Sequence, residues 1–247
     1  MVIVGWNDTS AVVNSVIDSR GNSYQLAAGP TLLSGALSQS IYYAKNIVGA
    51  AAAANAVTVV FSKAAMYPDI RVLEYSGIDT NTPLDVAVGA AGTGGTSSSG
   101  AVTTTNAADL LVGANMVQDY TTGPGPNFTK RIVTSPNGDI AEDWIVTATG
   151  SYSASASVAG SYGWVAQLVA FREASTQPPL PASPTYVQGN YAAPQTSEAT
   201  VQVAYTKAQA AGDLNVVIVG WNDSTAQVNS VSDTMGNSYR WRWGQPY

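Results

Sequence analysis

The chain has 247 residues, only 11% of them charged, a net charge of −6, no histidine and no cysteine. Disulfides and thiolate metal sites are thereby excluded, the commonest general base and transition-metal ligand is missing, and no basic stripe exists to neutralise the phosphates of a nucleic acid. The remaining palette of Thr, Ser, Ala, Val, Gly and Asn suits half-buried strands and short turns, in a length that one large all-β domain or two smaller ones fill.

Val2 to Trp6 is a continuous apolar run ended by Asn7-Asp8, which predicts a strand buried on both faces. Ala11 to Val16 predicts the next strand, and Asp18 to Asn22 (DSRGN) a glycine-containing turn into Ser23 to Ala27. Met1 leads straight into the apolar run, without the basic region or cleavage site of a signal peptide. Gln39 to Asn46 alternates weakly, Ala56 to Ser62 (AVTVVFS) reads as a strand, and Ile70 to Tyr75 (IRVLEY) alternates apolar and charged residues. Ile47 to Ala54 is compatible with a helical turn or a loop. The apolar run from Ile47 to Phe61 is mostly alanine, is interrupted by Asn55, and is too short to span a bilayer.

Residues 89–105 (GAAGTGGTSSSGAVTTT) predict a flexible loop running into a polar edge strand. Ala107 to Val117 predicts a buried strand that echoes Ala210 to Trp221, one for each sheet of a sandwich. Thr122 to Asn127 (TGPGPN) is a turn-rich loop, and Phe128 to Thr134 and Ile140 to Ala148 flank SPNGD, whose Asn137-Gly138 signals a hairpin. Tyr152 to Val158 and Trp164 to Phe171 are further expected strands. Ser175 to Pro184 holds four prolines in ten residues and reads as an extended spacer. Beyond it, Tyr186 to Asn190 and Ala199 to Tyr205 predict strands. Many short strands with Gly, Asn and Pro turns imply an all-β fold, an antiparallel two-sheet sandwich of jelly-roll type.

One stretch occurs twice. VIVGWND stands at 2–8 and again at 217–223, and over residues 1–24 against 216–239, 17 of 24 positions are identical at a fixed offset of 215. GNSY recurs at 21–24 and 236–239, and the likeness stops there, QLAAGPT being answered by RWRWGQPY. A repeat of this length marks one structural unit of 215 residues. The reading is a unit over 1–173 that lacks its first strands, a Pro-rich linker over 174–184, and the first strands of the next unit over 185–247. On that reading the strands carrying Val187, Val201, Val203, Tyr205, Val217, Val219 and Trp221 are the assembly strands.

Candidate chemistry is sparse. Glu74, Glu142 and Asp143 are the carboxylates from which a glycosidase pair would be drawn, against their simpler reading as strand and hairpin residues. Asp8, Asp18, Asp79, Asp85, Asp139 and Asp143 lie in or beside turns, where oxygen ligands for calcium converge but where aspartate also bonds its own backbone. No cofactor or metal site is expected. Tyr42, Tyr43, Tyr67, Tyr120 and Tyr162 are candidates for a sugar-binding platform, or for core and cross-strand pairs. Asn7, Asn127 and Asn222 open Asn-x-Ser/Thr sequons and are candidate glycan acceptors.

VIVGWND, the D-x-x-GN-x-Y turns at Asp18 to Tyr24 and Asp233 to Tyr239, QSIYYAKNI, VTVVFS and VLEYSG resemble the jelly-roll-like β-sandwich modules repeated in very large bacterial secreted and cell-surface proteins. The resemblance implies a structural or adhesive module and transfers no catalytic residue. The leading expectation is a structural subunit or tandem-repeat segment of an extracellular bacterial filament. It would assemble head to tail as C-terminal strands are donated to a neighbouring unit, with the chain itself as partner and neither nucleic acid nor a membrane span involved. The rivals are a glycan-binding adhesive module of a cell-surface repeat protein and a glycoside hydrolase.

Overall fold

The computed structural model describes residues 1–174, 184–210 and 213–227, and every regular element among them is a β-strand. The strands are β1 (Val2–Asp18), β2 (Tyr24–Leu33), β3 (Leu37–Ala44), β4 (Ala56–Ala65), β5 (Asp69–Ser76), β6 (Leu84–Thr93), β7 (Thr96–Ser98), β8 (Val102–Thr103) and β9 (Asp109–Val117). They continue with β10 (Thr121–Gly123), β11 (Thr129–Val133), β12 (Ile140–Val146), β13 (Ser151–Tyr152), β14 (Ser155–Val158), β15 (Gly163–Arg172), β16 (Thr185–Ala192), β17 (Glu198–Ala204) and β18 (Leu214–Gln227).

A central sheet runs β16, β5, β1, β3, β2, with β18 also set beside β5 and β3. It faces a second antiparallel sheet in the order β11, β12, β9, β15, β6. The far half of β1 leaves the central sheet to pair with β4, and β4 carries β17 on its other side. This ribbon covers the back of the central sheet. The short strands β10, β14 and β7, with β13 and β8, complete the small sheets. The expected all-β sandwich is present, and its two main sheets are flanked by further strands.

Alternation along each strand sorts the apolar side chains into separate cores. Val2, Val4 and Trp6 join Val57, Val59, Phe61, Ile70 and Val72 between the central sheet and the ribbon. Ile3, Ile41, Leu73 and Tyr75 point the other way, onto Leu110, Val112, Val169 and Phe171 of the facing sheet. Leu111, Leu168 and Ala170 form a third cluster with Phe128 and Ala154. Val2 to Trp6 is thus a strand buried on both faces, as its unbroken apolar run implies. The echo between 107–117 and 210–221 also holds, with β9 in one main sheet and β18 in the other.

A belt of polar groups ties the two main sheets together through the apolar layer. Arg71, fully buried on β5, donates from Nη1 to the carbonyls of Asn115 (2.8 Å) and Ile140 (2.5 Å) and from Nη2 to Gln39 Oε1 (3.1 Å), and pairs with Asp69 at 2.8 Å. Gln39 in turn donates to the Ala114 carbonyl and to Gln167, both at 3.2 Å. Asp139 accepts the Val117 amide at 2.8 Å, and burial, with the charge of Asp69 adding to it, holds its carboxyl well above the ordinary range.

Where the structure departs from the pattern, local hydrogen bonding explains it. Asn7-Asp8 does not end the first strand, because Asp8 Oδ1 accepts the amides of Ser10 and Ala11 at 2.6 Å each and the Asn7 amide donates to the Met66 carbonyl at 2.7 Å. The two strands expected at 2–6 and 11–16 are therefore one, with a register shift between Val13 and Ser15. The Gly-rich stretch from 89 opens inside a regular strand, β6, paired along β15. A Cβ at Gly92 would stand 2.7 Å from the Trp164 ring, so the glycine admits that indole over the edge strand. Residues 47–54 form a non-helical connection. The Pro-rich spacer at 175–183 and the second turn at 233–239 lie outside the described residues.

Arg71→Leu removes the donors for two carbonyls and leaves Asp69 without its counter-charge, and is expected to lower unfolding stability by about 3–5 kcal/mol. Asp139→Asn keeps the acceptor for Val117 in neutral form and is expected to stay within about 1 kcal/mol of the parent at pH 7. Urea denaturation of both variants checks the pair.

Candidate functional site

The middle of the central sheet is a slot one strand wide between β3 and β5. Val2 to Trp6 fill it antiparallel to Tyr42 to Ser38 of β3, and Val2 to Gly5 face Val72 to Asp69 of β5. The second copy is set in the same slot: Val217 to Gly220 face Val72 to Asp69, and Trp221 faces Ser38. Val217 to Gly220 face the β5 residues that Val2 to Gly5 face, and beyond them Asn222 to Gln227 run parallel beside Asn7 to Val12.

Side-chain and hydrogen-bond environments repeat with the register. Val217, Val219 and Trp221 lie in the same apolar cluster as Val2, Val4 and Trp6, and Ile218 in the same cluster as Ile3. Phe61 meets the Trp6 ring edge-on at 5.6 Å and the Trp221 ring edge-on at 4.7 Å. The Met66 carbonyl accepts the Asn7 amide and the Asn222 amide, each at 2.7 Å. Both copies cannot be in place at once: the Trp221 ring falls on the Trp6 ring and Gly220 on Gly5, whereas non-bonded carbons approach to about 3.5 Å. The slot is one strand wide, and both copies of the motif are set to its walls in the same register.

The repeated motif is legible from the slot walls. A side chain at Gly5 would run into Met116 Sδ of the facing sheet. Tryptophan fills the space against Phe61 on the opposite face. Asn7 presents its amide to Met66, and the Asp8 carboxylate also takes the Met66 amide at 3.1 Å. Because side chains alternate, a slip of one residue turns the indole toward Met116 and the glycine toward Phe61, so the motif fixes register. The D-x-x-GN-x-Y turn that follows is built around Asp18. Its Oδ1 accepts the Arg20 and Asn22 amides, and its Oδ2 accepts the Asn22 side chain (2.7 Å), the Tyr24 hydroxyl (2.9 Å) and Asn55 (3.2 Å).

The chain preceding β18 lies along the flanks of the slot. β16 pairs with the free edge of β5 and β17 with β4. Gln188 donates to Glu74 at 2.7 Å, and Asn55 donates to Gln209 in a short hydrogen bond. Burial raises the Glu74 carboxyl to about 7, opposed by the Gln188 amide and reinforced by Asp213. Asp213, whose own carboxyl is raised by burial, shares this contact at the point where the chain enters β18. Of the expected assembly residues, Val201, Val203, Tyr205, Val217, Val219 and Trp221 are buried in the core behind the slot, and Val187 is half-buried on β16.

The other candidates are dispersed. Glu142 turns away from the central sheet, where Gly125 donates to it at 2.9 Å and burial raises it to about 7. Asp143 points inward to Tyr75 (2.9 Å) and Arg131 (2.7 Å). Glu74 lies on β5 beside β16, so the structure does not bring Glu74 and Glu142 together as a glycosidase pair. Asp79 accepts the amides of Asn81 and Thr82 within its own turn, whereas Asp85 stands on β6 and pairs with Arg172 and Thr105 from distant stretches. Tyr42 and Tyr43 are buried, which removes them from a sugar platform; Tyr67, Tyr120 and Tyr162 are exposed. Among the sequons, Asn222 is buried and Asn7 half-buried within the slot strands, whereas Asn127 is exposed in a turn with φ 68°. Sequence reasoning missed the slot walls Ser38, Gln39, Phe61, Met66 and Met116, which come from separate stretches without a shared motif. The glycine kept in both copies was the available signal of a close approach.

No protein-family model, curated protein or solved structure matches the chain.

If either copy can fill the slot, Gly5→Val and Gly220→Val are each expected to cost less than about 1 kcal/mol. The double variant then costs on the order of 2–3 kcal/mol, the penalty of overpacking a slot with no unblocked occupant. Chemical denaturation of the four chains measures the coupling, and additive costs contradict it.

Proposed function

We propose that the protein is a structural subunit or repeat segment of an extracellular bacterial filament, whose units are joined head to tail by strands donated from the C-terminal segment. The observation that carries this reading is that two segments 215 residues apart address one strand slot in one register. When the first copy holds the slot of its own unit, the second copy has the same surface to offer the slot of a neighbour. Backbone hydrogen bonds to β3 and β5 supply affinity and the apolar faces of the strand supply specificity, as in strand addition generally. Such a contact relates different surfaces of successive chains, so it propagates instead of closing. The low-charge, Thr/Ser/Asn-rich composition supports placing it outside the cell. Among the described residues no helix is long and apolar enough to cross a membrane.

A second reading, a glycan-binding adhesive module, draws on Tyr120 and Tyr162, which are 55% and 58% exposed. A Cβ at Gly160 would meet both the Tyr162 ring and Asp119 Oδ2, so an aromatic face and a carboxylate stand side by side there, the pairing that sugars engage by stacking and hydroxyl hydrogen bonds.

Light scattering and negative-stain electron microscopy across a concentration series test the assembly reading. The parent chain is expected to gain mass with concentration and to form linear particles, while Gly220→Val, whose first copy still fills its own slot, stays at monomer mass. A parent that is monomeric throughout, or a Gly220→Val chain that assembles equally well, overturns it.

A further inference from the structure

We infer that the slot between β3 and β5 is a peptide-binding site in its own right, which accepts from solution an extended strand of the type V-I-V-G-W-N-D supplied by a second copy of this chain. The inference deepens the assembly reading and rests on the same slot. It adds what the site reads in its ligand.

Three features of the walls recognise the motif. On one face, a Cβ at Gly5, the fourth motif position, would run into Met116 Sδ, so a side chain there would have to displace the methionine and glycine is favoured. On the other face, Phe61 offers its ring edge to an indole at the fifth position, at 5.6 Å for one copy and 4.7 Å for the other. At the far end the Met66 carbonyl accepts the amide of the sixth residue at 2.7 Å in both copies. Strand polarity follows from the antiparallel ladders with β3 and β5. Met116 is held by Leu37 and Val165, whereas Phe61 sits in the cluster of Val57 and Val59 on a ribbon that the far half of β1 carries. A strand that lacks the glycine, or that is displaced by one residue, loses the indole contact and meets Met116.

β1 is joined to its own unit through the Asp18 turn, and β18 through the segment after β17. An untethered strand with the same seven residues makes the same contacts. Its affinity is lower by the effective concentration that a tether provides, and it competes when the tethered copies are blocked.

The probe is a synthetic, dye-labelled peptide of residues 214–227, with a control peptide carrying Gly220→Val. The acceptor is the full chain carrying both Gly5→Val and Gly220→Val. The native peptide is expected to raise its melting midpoint by about 5 °C or more at a hundredfold excess over Kd, and the control peptide to leave it unchanged. Should the double variant not fold alone, the parent chain is unfolded and refolded with excess labelled peptide, and about one native peptide per chain is expected to co-migrate on a sizing column. Equal effects of both peptides, or no shift and no incorporation with either, overturn the inference. Peptide binding by a parent that stays monomeric keeps the inference and removes the filament; linear particles without peptide binding do the reverse.

Discussion

A strand buried on both faces in the middle of a sheet cannot be left out and cannot be doubled. Without it, the inner edges of β3 and β5 present unpaired amides and carbonyls between two apolar layers, each costing about 1–3 kcal/mol where water cannot reach. Two strands in the same gap would collide, since non-bonded carbons approach to no less than about 3.5 Å. The rest of the molecule depends on this constraint of one slot and one occupant. β1 anchors the central sheet with its first half and the β4 ribbon with its second, so whichever segment holds the slot also decides how the ribbon is carried.

The polar belt explains why the walls keep their shape. Arg71 sits on β5 opposite Ile3 and Ile218, and its guanidinium reaches across to Asn115 and Ile140 of the facing sheet while Gln39 reaches from β3 to Ala114 and Gln167. Both walls of the slot are therefore pinned to the same facing sheet by directional bonds, which fixes their spacing more tightly than apolar contact alone. The belt holds two carboxyls, Asp69 and Asp139, against one guanidinium. Burial raises both, and the well-raised Asp139 spares the layer a second uncompensated charge. The Glu74 and Asp213 carboxyls form a second such contact at the entrance of β18, so the seat of the C-terminal segment is favoured when that pair retains a proton.

Much of this is legible in the residues. Unbroken apolar runs mark the doubly buried strands, alternation marks the amphipathic ribbon, and the 215-residue offset marks the equivalence of the two copies, because identical side chains in identical order demand the same surroundings. Asn7-Asp8 reads as a strand end because a sequence does not show that the Asp8 carboxylate caps the amides of Ser10 and Ala11 within a continuing strand. The Gly-rich stretch from 89 reads as a loop because its role is to make room for Trp164, a partner 72 residues on from Gly92 that no local pattern names. The slot walls are invisible for the same reason. Phe61 and Met66 come from β4 and its end and Met116 from β9, and only the fold brings them to one strand's two faces.

Disulfide trapping in this cysteine-free chain is the most direct test that one slot serves two copies. Met66→Cys is combined with Asn7→Cys in one chain and with Asn222→Cys in another, since both asparagine amides donate to Met66. The account predicts that both pairs oxidise readily, and that the 66–222 bond forms partly between chains, giving a ladder on a non-reducing gel. Oxidation of the 66–7 pair alone, with the thiol introduced at position 222 left reduced, would show that the second copy never enters the slot and would contradict the account.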